Sequence, residues 1–158
     1  MEKAHQVAAA VLAGGESRRM GVDKATMLIE GGFLIEKPLT ALEKAGVAST
    51  VIIGGSAALL KKTGHQIVPD LWPHQGPLGG ILSALHFFKE QKCAVIVLAC
   101  DLPFANENEI AMLIKQAKAF PHTVVVPEVQ GRHQWMHACW PPEVLPYLEK
   151  AFTSGERA

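Results

Sequence analysis

Gly14 and Gly15, with Arg18, Arg19 and Lys24 close behind, put backbone freedom and fixed positive charge into one short stretch of the chain. The run Val7-Ala8-Ala9-Ala10-Val11 ahead of them is apolar and reads as a buried strand, so the glycines fall where that strand ends and the backbone turns sharply. Bare amide N–H groups in such a turn converge with the cations on one concave spot, which suits a polyphosphate. The spacing matches neither of the two commonest phosphate loops. A Walker loop needs Gly-Lys-Ser/Thr, whereas Lys24 follows Asp23 and precedes Ala25. The dinucleotide fingerprint alternates its glycines before a helix, and Gly14-Gly15-Glu16 does not.

Two further segments carry chemistry at the ends of apolar runs. Asp70 follows Val68-Pro69, and Gly76-Pro77-Leu78-Gly79-Gly80 leads into a helix whose N-terminal amides favour negative charge. Cys100-Asp101-Leu102-Pro103 follows the most hydrophobic run of the chain. A carboxylate at Asp101 suits Mg²⁺, a hard cation that takes oxygen ligands and gathers phosphates.

These loops need a scaffold that brings strand ends together. Val51-Ile52-Ile53, Gln66-Ile67-Val68, Ala94 to Ala99, Val124-Val125-Val126 and Trp135 to Trp140 read as further strands. Helical patterns cover Glu36 to Ala45, stopped by Gly46, and Ala57 to Lys62. Another runs from Ile81 to Lys89 with Gly79-Gly80 at its start, one from an Asn106 cap to Ala119, and one from Val144 to Phe152. Met27 to Ile35 reads as a turn and Pro69 to Pro77 as a loop. Alternating strands and helices predict an α/β fold: a three-layer α/β/α sandwich with a mostly parallel, Rossmann-like sheet, its ligands at the carboxyl ends of the strands.

The 158 residues suit one domain spanning 1–158. Fifteen basic and fifteen acidic residues balance, so nothing suggests the general electrostatic grip used on nucleic acid or an anionic membrane, and any phosphate site must be local. Cys93, Cys100 and Cys139 are odd in number and widely spaced, which fits reduced thiols in a cytoplasm. The apolar stretch Val7 to Ala13 is too short to cross a bilayer, and the arginine pair after it is unlike a signal-peptide cleavage site. The expectation is a soluble, unprocessed cytoplasmic protein.

Residues 12 to 24, reading Leu-Ala-Gly-Gly, a short stretch, Arg-Met-Gly, then Asp-Lys, resemble the signature loop of the MobA-like nucleotidyltransferases, whose best-known members are the molybdenum cofactor guanylyltransferases. The aspartate before Gly76-Pro77-Leu78 and the Cys100-Asp101-x-Pro103 block match the same pattern. Gly131-Arg132, Ala138, Trp140 and Gly155-Glu156-Arg157 resemble the family's closing stretch, so the likeness spans nearly the whole chain. It implies that Gly14, Gly15, Arg19 and Lys24 hold the triphosphate of GTP, with Leu12 and Ala13 completing the nucleotide loop and Asp70 near the guanosine. Asp101 then holds Mg²⁺ between the nucleotide and the incoming phosphate of molybdopterin. Arg19, Lys24 and Asp101 are the implied catalytic residues. The implied reaction forms a guanine dinucleotide from GTP and molybdopterin with loss of pyrophosphate. Molybdenum cofactor biosynthesis proteins or target molybdoenzymes are the implied protein partners.

Three departures accompany the resemblance. Gly54-Gly55 stands where the guanylyltransferases commonly place an asparagine, and Gln134 where many relatives have a histidine near the second substrate. The chain stops at Ala158, where relatives continue through a helix and an asparagine-rich strand, which implies slow turnover and a missing second metal ligand. The alternatives are a cytidylyl- or sugar-phosphate nucleotidyltransferase, or a truncated, non-catalytic GTP-binding accessory protein. The cytidylyltransferase loop usually reads Leu-Ala-Ala-Gly, so Gly14 favours guanine.

Other residues read more plainly. Arg18 is a solvated charge and Cys100 a small buried filler rather than a nucleophile. His133 and His137 have zinc-binding spacing for a helix, but on a strand they stand nearly ~13 Å apart. Trp135 and Trp140 read as packing residues, with stacking on a pterin the alternative.

Overall fold

Strands that are apolar on both faces bury only if helices cover both sides of their sheet. The computed structural model shows this arrangement. It describes residues 6–15, 23–102 and 105–158; Arg18, Arg19 and Pro103 lie outside them. In chain order the elements are β1 (Val7–Leu12), β2 (Leu28–Ile29), β3 (Gly32–Phe33), α1 (Glu36–Lys44), β4 (Thr50–Ile53), α2 (Ala57–Leu60) and β5 (Gln66–Val68). There follow α3 (Pro77–Phe87), β6 (Ala94–Ala99), α4 (Glu107–Ala119), β7 (Glu128–Val129), β8 (Arg132–His133), β9 (His137–Trp140) and α5 (Leu145–Thr153).

The central sheet has the order β5-β4-β1-β6-β9. Its first four strands run parallel, and β9 pairs antiparallel with β6 at the edge. Alternate side chains feed two cores. Ala8, Ala10, Leu12, Val51, Ile53, Val95 and Val97 pack under α3 and α5, while Ala9, Val11, Ile52, Ile96 and Leu98 pack under α1 and α4. These are the three expected layers.

The register is what matters for function. Leu12 lies level with Ile53 of β4 and with Ala99 of β6, and Ile53 lies level with Val68 of β5. The segments after these strands, which carry Gly14, Gly54, Asp70 and Asp101, therefore emerge at one edge of the sheet. From β1 the chain first moves outward through β4 to β5, then returns to the other side of β1 as β6. That reversal puts a topological switch point between β1 and β6, where open α/β sheets bind ligands.

Several boundaries differ from the sequence reading. Helix α3 begins at Pro77, a turn before Ile81, so Gly79 and Gly80 lie inside it. Proline suits a first helical position because it has no amide proton to leave unpaired. The free Leu78 amide donates to the Arg157 carbonyl at 3.0 Å. Glycine weakens a helix in isolation, but here close approach outweighs propensity: a Cβ on Gly80 would stand 2.8 Å from Leu12 Cδ1. The segment Met27 to Ile35 is a β2–β3 hairpin rather than a plain turn. The helix expected over Ala57 to Lys62 shortens to α2 and closes in a 3-10 turn over Lys61–Thr63. Of Val124-Val125-Val126, only Val125 pairs, exchanging both backbone bonds with Cys139, and Pro127 has no amide to extend the ladder. The strand expected from Trp135 begins at His137.

Ala8, Ala9 and Ala10 leave little room between β1 and its flanking helices. Ala10 is fully buried, so Ala10→Leu should overpack the α3 side and lower stability by about 1 to 3 kcal/mol, read as a lower urea midpoint at unchanged slope.

Candidate nucleotide site at the carboxyl ends of β1 and β6

Backbone bonds carry the sheet geometry into the first loop. The Ala13 and Gly14 amides both donate to the Ile53 carbonyl, at 2.9 and 3.3 Å, and the Gly54 amide donates to the Val68 carbonyl at 2.8 Å. Three adjacent strands are thus tied at their carboxyl ends. Gly54 has φ +73, and a Cβ there would stand 3.1 Å from Gly14 Cα and 3.2 Å from Gly14 N. Side chains rarely adopt that φ, and backbone cannot yield as a side-chain tip can. Gly54 thus seats the turn at Gly14. Beyond it, Gly15 is exposed, and no atom of the described residues lies within 4 Å of where a Cβ would stand.

Asp70 sits beside the same turn. Its Oδ1 accepts from the Trp72 amide at 2.9 Å and lies 3.0 Å from Ser83 Oγ. Ser83, buried in α3, also accepts from the Leu71 amide at 2.9 Å and lies 2.9 Å from the Gly79 carbonyl. These contacts leave Oδ2 turned toward Gly14, 3.7 Å from where a Gly14 Cβ would be. Ser83, which composition and spacing did not single out, fixes the carboxylate.

Asp23 caps a 3-10 turn over Lys24–Thr26, its side chain accepting from the Ala25 amide at 3.0 Å. The cap fixes Lys24 as the first residue of the turn, and Lys24 Nζ stands 3.4 Å from Asp101 Oδ2. This ion pair joins the loop after β1 to the loop after β6 across the switch point. Both side chains are about half exposed, at 50% and 44%. A pair so open to water contributes under about 1 kcal/mol to folding. Cys100 is mostly buried beside them, and burial, then the charges of Asp101 and Asp23, push its thiol up to about 12. It stays protonated at neutral pH and is no nucleophile.

The other candidates do not join this site. His133 packs near Trp135 and stands 3.6 Å from Glu128, while His137 opens β9. Trp135 and Trp140 pack on each other at 5.9 Å, and Trp140 is buried. Among the described residues no group of three or more His, Cys, Asp or Glu side chains could hold a metal. Asp101 supplies one exposed hard oxygen, which fits Mg²⁺ of the kind held by a single carboxylate, waters and substrate phosphates.

The arrangement of glycine turn, cation and carboxylate at a switch point coincides with a family model described as the MobA-like NTP transferase domain, which matches residues 9–158. The chain belongs to this family. A Clostridium perfringens protein described as a probable molybdenum cofactor guanylyltransferase is 35% identical over 145 residues, covering 90% of this chain and 69% of that protein. The molybdenum cofactor guanylyltransferase of Pseudomonas putida is 31% identical over 150 residues, covering 94% and 77%. Among solved structures, the molybdopterin-guanine dinucleotide biosynthesis protein A of Archaeoglobus fulgidus superposes with a TM-score of 0.73 at 27% identity, covering 95% and 75%. As a MobA-like NTP transferase, the chain is a nucleotidyltransferase. Among the described residues, no helix is long and apolar enough to cross a membrane.

Two substitutions test the seating of the loop. Gly54→Asn should lower stability by about 1 to 3 kcal/mol, because its Cβ would press on the Gly14 backbone. Ser83→Ala should cost a similar ~1 to 3 kcal/mol, because the Leu71 amide loses its partner. Urea titration of both variants measures the effects.

Proposed function

We propose that the chain transfers GMP from GTP to the phosphate of molybdopterin, forming a guanine dinucleotide and releasing pyrophosphate. The observation that carries this reading is the Lys24–Asp101 pair spanning the switch point beside the Gly14 turn. It supplies a cation for the triphosphate and a carboxylate on the opposite lip. The names of the relatives supply the base and the acceptor.

In the reading we favour, a phosphate oxygen of the acceptor attacks the α-phosphorus, a new P–O bond forms, and the bond to the β-phosphate breaks. No general base is needed, since the attacking phosphate is already ionised. Protein catalysis then consists of alignment and charge stabilisation. The amides at Gly14 and Gly15, with Lys24 and Arg19, would hold the triphosphate; Leu12 and Ala13 shape the loop. Asp70, fixed by Ser83 and Trp72, would position the nucleoside. Mg²⁺ bound at Asp101 would neutralise phosphate charge and draw the two substrates together. A cytoplasmic location, and delivery of the product to molybdenum cofactor proteins or target molybdoenzymes, belong to the same proposal.

Purified protein should release pyrophosphate from Mg-GTP only when molybdopterin is supplied, and should bind GTP more tightly than CTP by calorimetry. Equal affinity for CTP would transfer the assignment to cytidylyl chemistry. Nucleotide binding without pyrophosphate release would point to the accessory-protein reading. Lys24→Ala should weaken triphosphate binding by about 1 to 3 kcal/mol. Asp101→Asn should reduce turnover by roughly a hundredfold or more, while folding stability moves by less than about 1 kcal/mol. Unchanged turnover in Asp101→Asn would remove that residue from the mechanism.

A further inference from the structure

The loop from Leu71 to Pro77 lies on the surface, and Trp72 is the one residue of it that is partly buried. Its ring packs into the core beneath α3 and α5. There it meets His86 of α3 at 5.6 Å between ring centres and Phe152 of α5 at 5.5 Å, tilted by 48° and 57°. Both spacings lie in the range of attractive aromatic pairs.

The two helices are fastened around that ring. His86 Nε2 stands 2.7 Å from Glu149 Oε1, which joins α3 to α5. The Arg157 guanidinium covers Phe152 at 4.1 Å from the ring centre and donates to the Phe152 carbonyl at 2.7 Å. Its own carbonyl takes the Leu78 amide in the first turn of α3. The main chain of Trp72 is held as closely, because a Cβ on Gly79 would stand 3.1 Å from the Trp72 carbonyl oxygen and 3.2 Å from Trp72 Cβ. Ring and backbone of Trp72 are therefore placed together.

That backbone is what Asp70 touches. The Trp72 amide and the Ser83 hydroxyl both meet Oδ1, at 2.9 and 3.0 Å, and Oδ2 is left toward Gly14. One hydroxyl fixes a point of a carboxylate and leaves it free to rotate about that point; a second donor removes the rotation. Ser83 is built into α3, whereas the Trp72 amide belongs to an exposed loop whose anchor in the core is the indole.

We propose that Trp72 is a positioning residue for nucleotide recognition: its ring, gripped by α3 and α5, holds its own amide against Asp70 and so keeps Oδ2 facing the Gly14 turn. The inference rests on the reading that Asp70 meets the nucleoside, and deepens it by extending control of that carboxylate to α5. Preference for a nucleoside triphosphate over a bare polyphosphate then depends on packing outside the site.

Trp72→Ala keeps the amide and removes the ring, so it tests the grip alone. Calorimetry compares Mg-GTP with inorganic tripolyphosphate, which has no nucleoside for Asp70 to meet. Trp72→Ala should weaken GTP about tenfold and tripolyphosphate by less than about twofold, and Trp72→Phe should restore GTP binding to within about threefold of the unaltered protein. Phe152→Leu, which removes the ring on the α5 side, should show the same selective loss in smaller measure. In an Asp70→Asn background Trp72→Ala should cost less than about twofold more, since residues acting through one group are not additive. Equal weakening of GTP and tripolyphosphate, or an undiminished tenfold loss on top of Asp70→Asn, would overturn the proposal. If Asp70→Asn alone left GTP binding unchanged, the nucleoside role of Asp70 would fall and the proposal with it. These measurements use no acceptor, so pyrophosphate release with molybdopterin tests guanylyl transfer separately.

Discussion

The in-register parallel pairing of β1 with both of its neighbours is the constraint on which the rest of the molecule depends. With β4 on one side and β6 on the other, β1 has its backbone groups paired along both edges and side chains buried on both faces. A slip by one residue would exchange the two cores, putting Ala9 and Val11 under α3 and Ala8, Ala10 and Leu12 under α1 and α4. The register is therefore strongly specified, and with it the height at which each loop leaves the sheet. Gly14, Gly54, Asp70 and Asp101 come from segments far apart in sequence, and the shared edge is what brings them together.

Close backbone contact extends that order beyond the sheet. Gly54 lets two loops touch, its φ of +73 and missing side chain admitting Gly14. Ser83 holds Asp70 from the helix below, and Asp23 holds Lys24 in its turn. Among the described residues, Asp70 and Lys24 are thus oriented by neighbours before any ligand arrives. Such preorganisation reduces the freedom that binding must remove.

Much of this was legible in the sequence because the signals were strong and local. The apolar run Ala94 to Ala99 and the Asn106 cap each read plainly, and the alternation of strand and helix patterns specified the sheet class. What escaped notice shared a physical cause: tertiary contact overriding local preference. Gly79 and Gly80 looked like a helix start, yet they lie inside α3, with Gly80 packed against Leu12. Both overlooked hairpins turn on two residues with positive φ, Glu30-Gly31 and Gln130-Gly131. Asparagine or aspartate usually occupies the first place of such turns, so glutamate and glutamine muted the signal. Ser83 carried no signal at all, since its role depends on a carboxylate thirteen positions away.

The balance of charge at the edge follows from the same geometry. The chain as a whole is neutral, and at the edge Lys24 stands 3.4 Å from Asp101 with both side chains about half in water. Neither charge bears the desolvation penalty of a buried ion pair, so separating them costs little. A triphosphate would take Lys24 and leave Asp101 facing added negative charge. That carboxylate then favours arrival of a cation with the nucleotide, rather than of a bare polyanion.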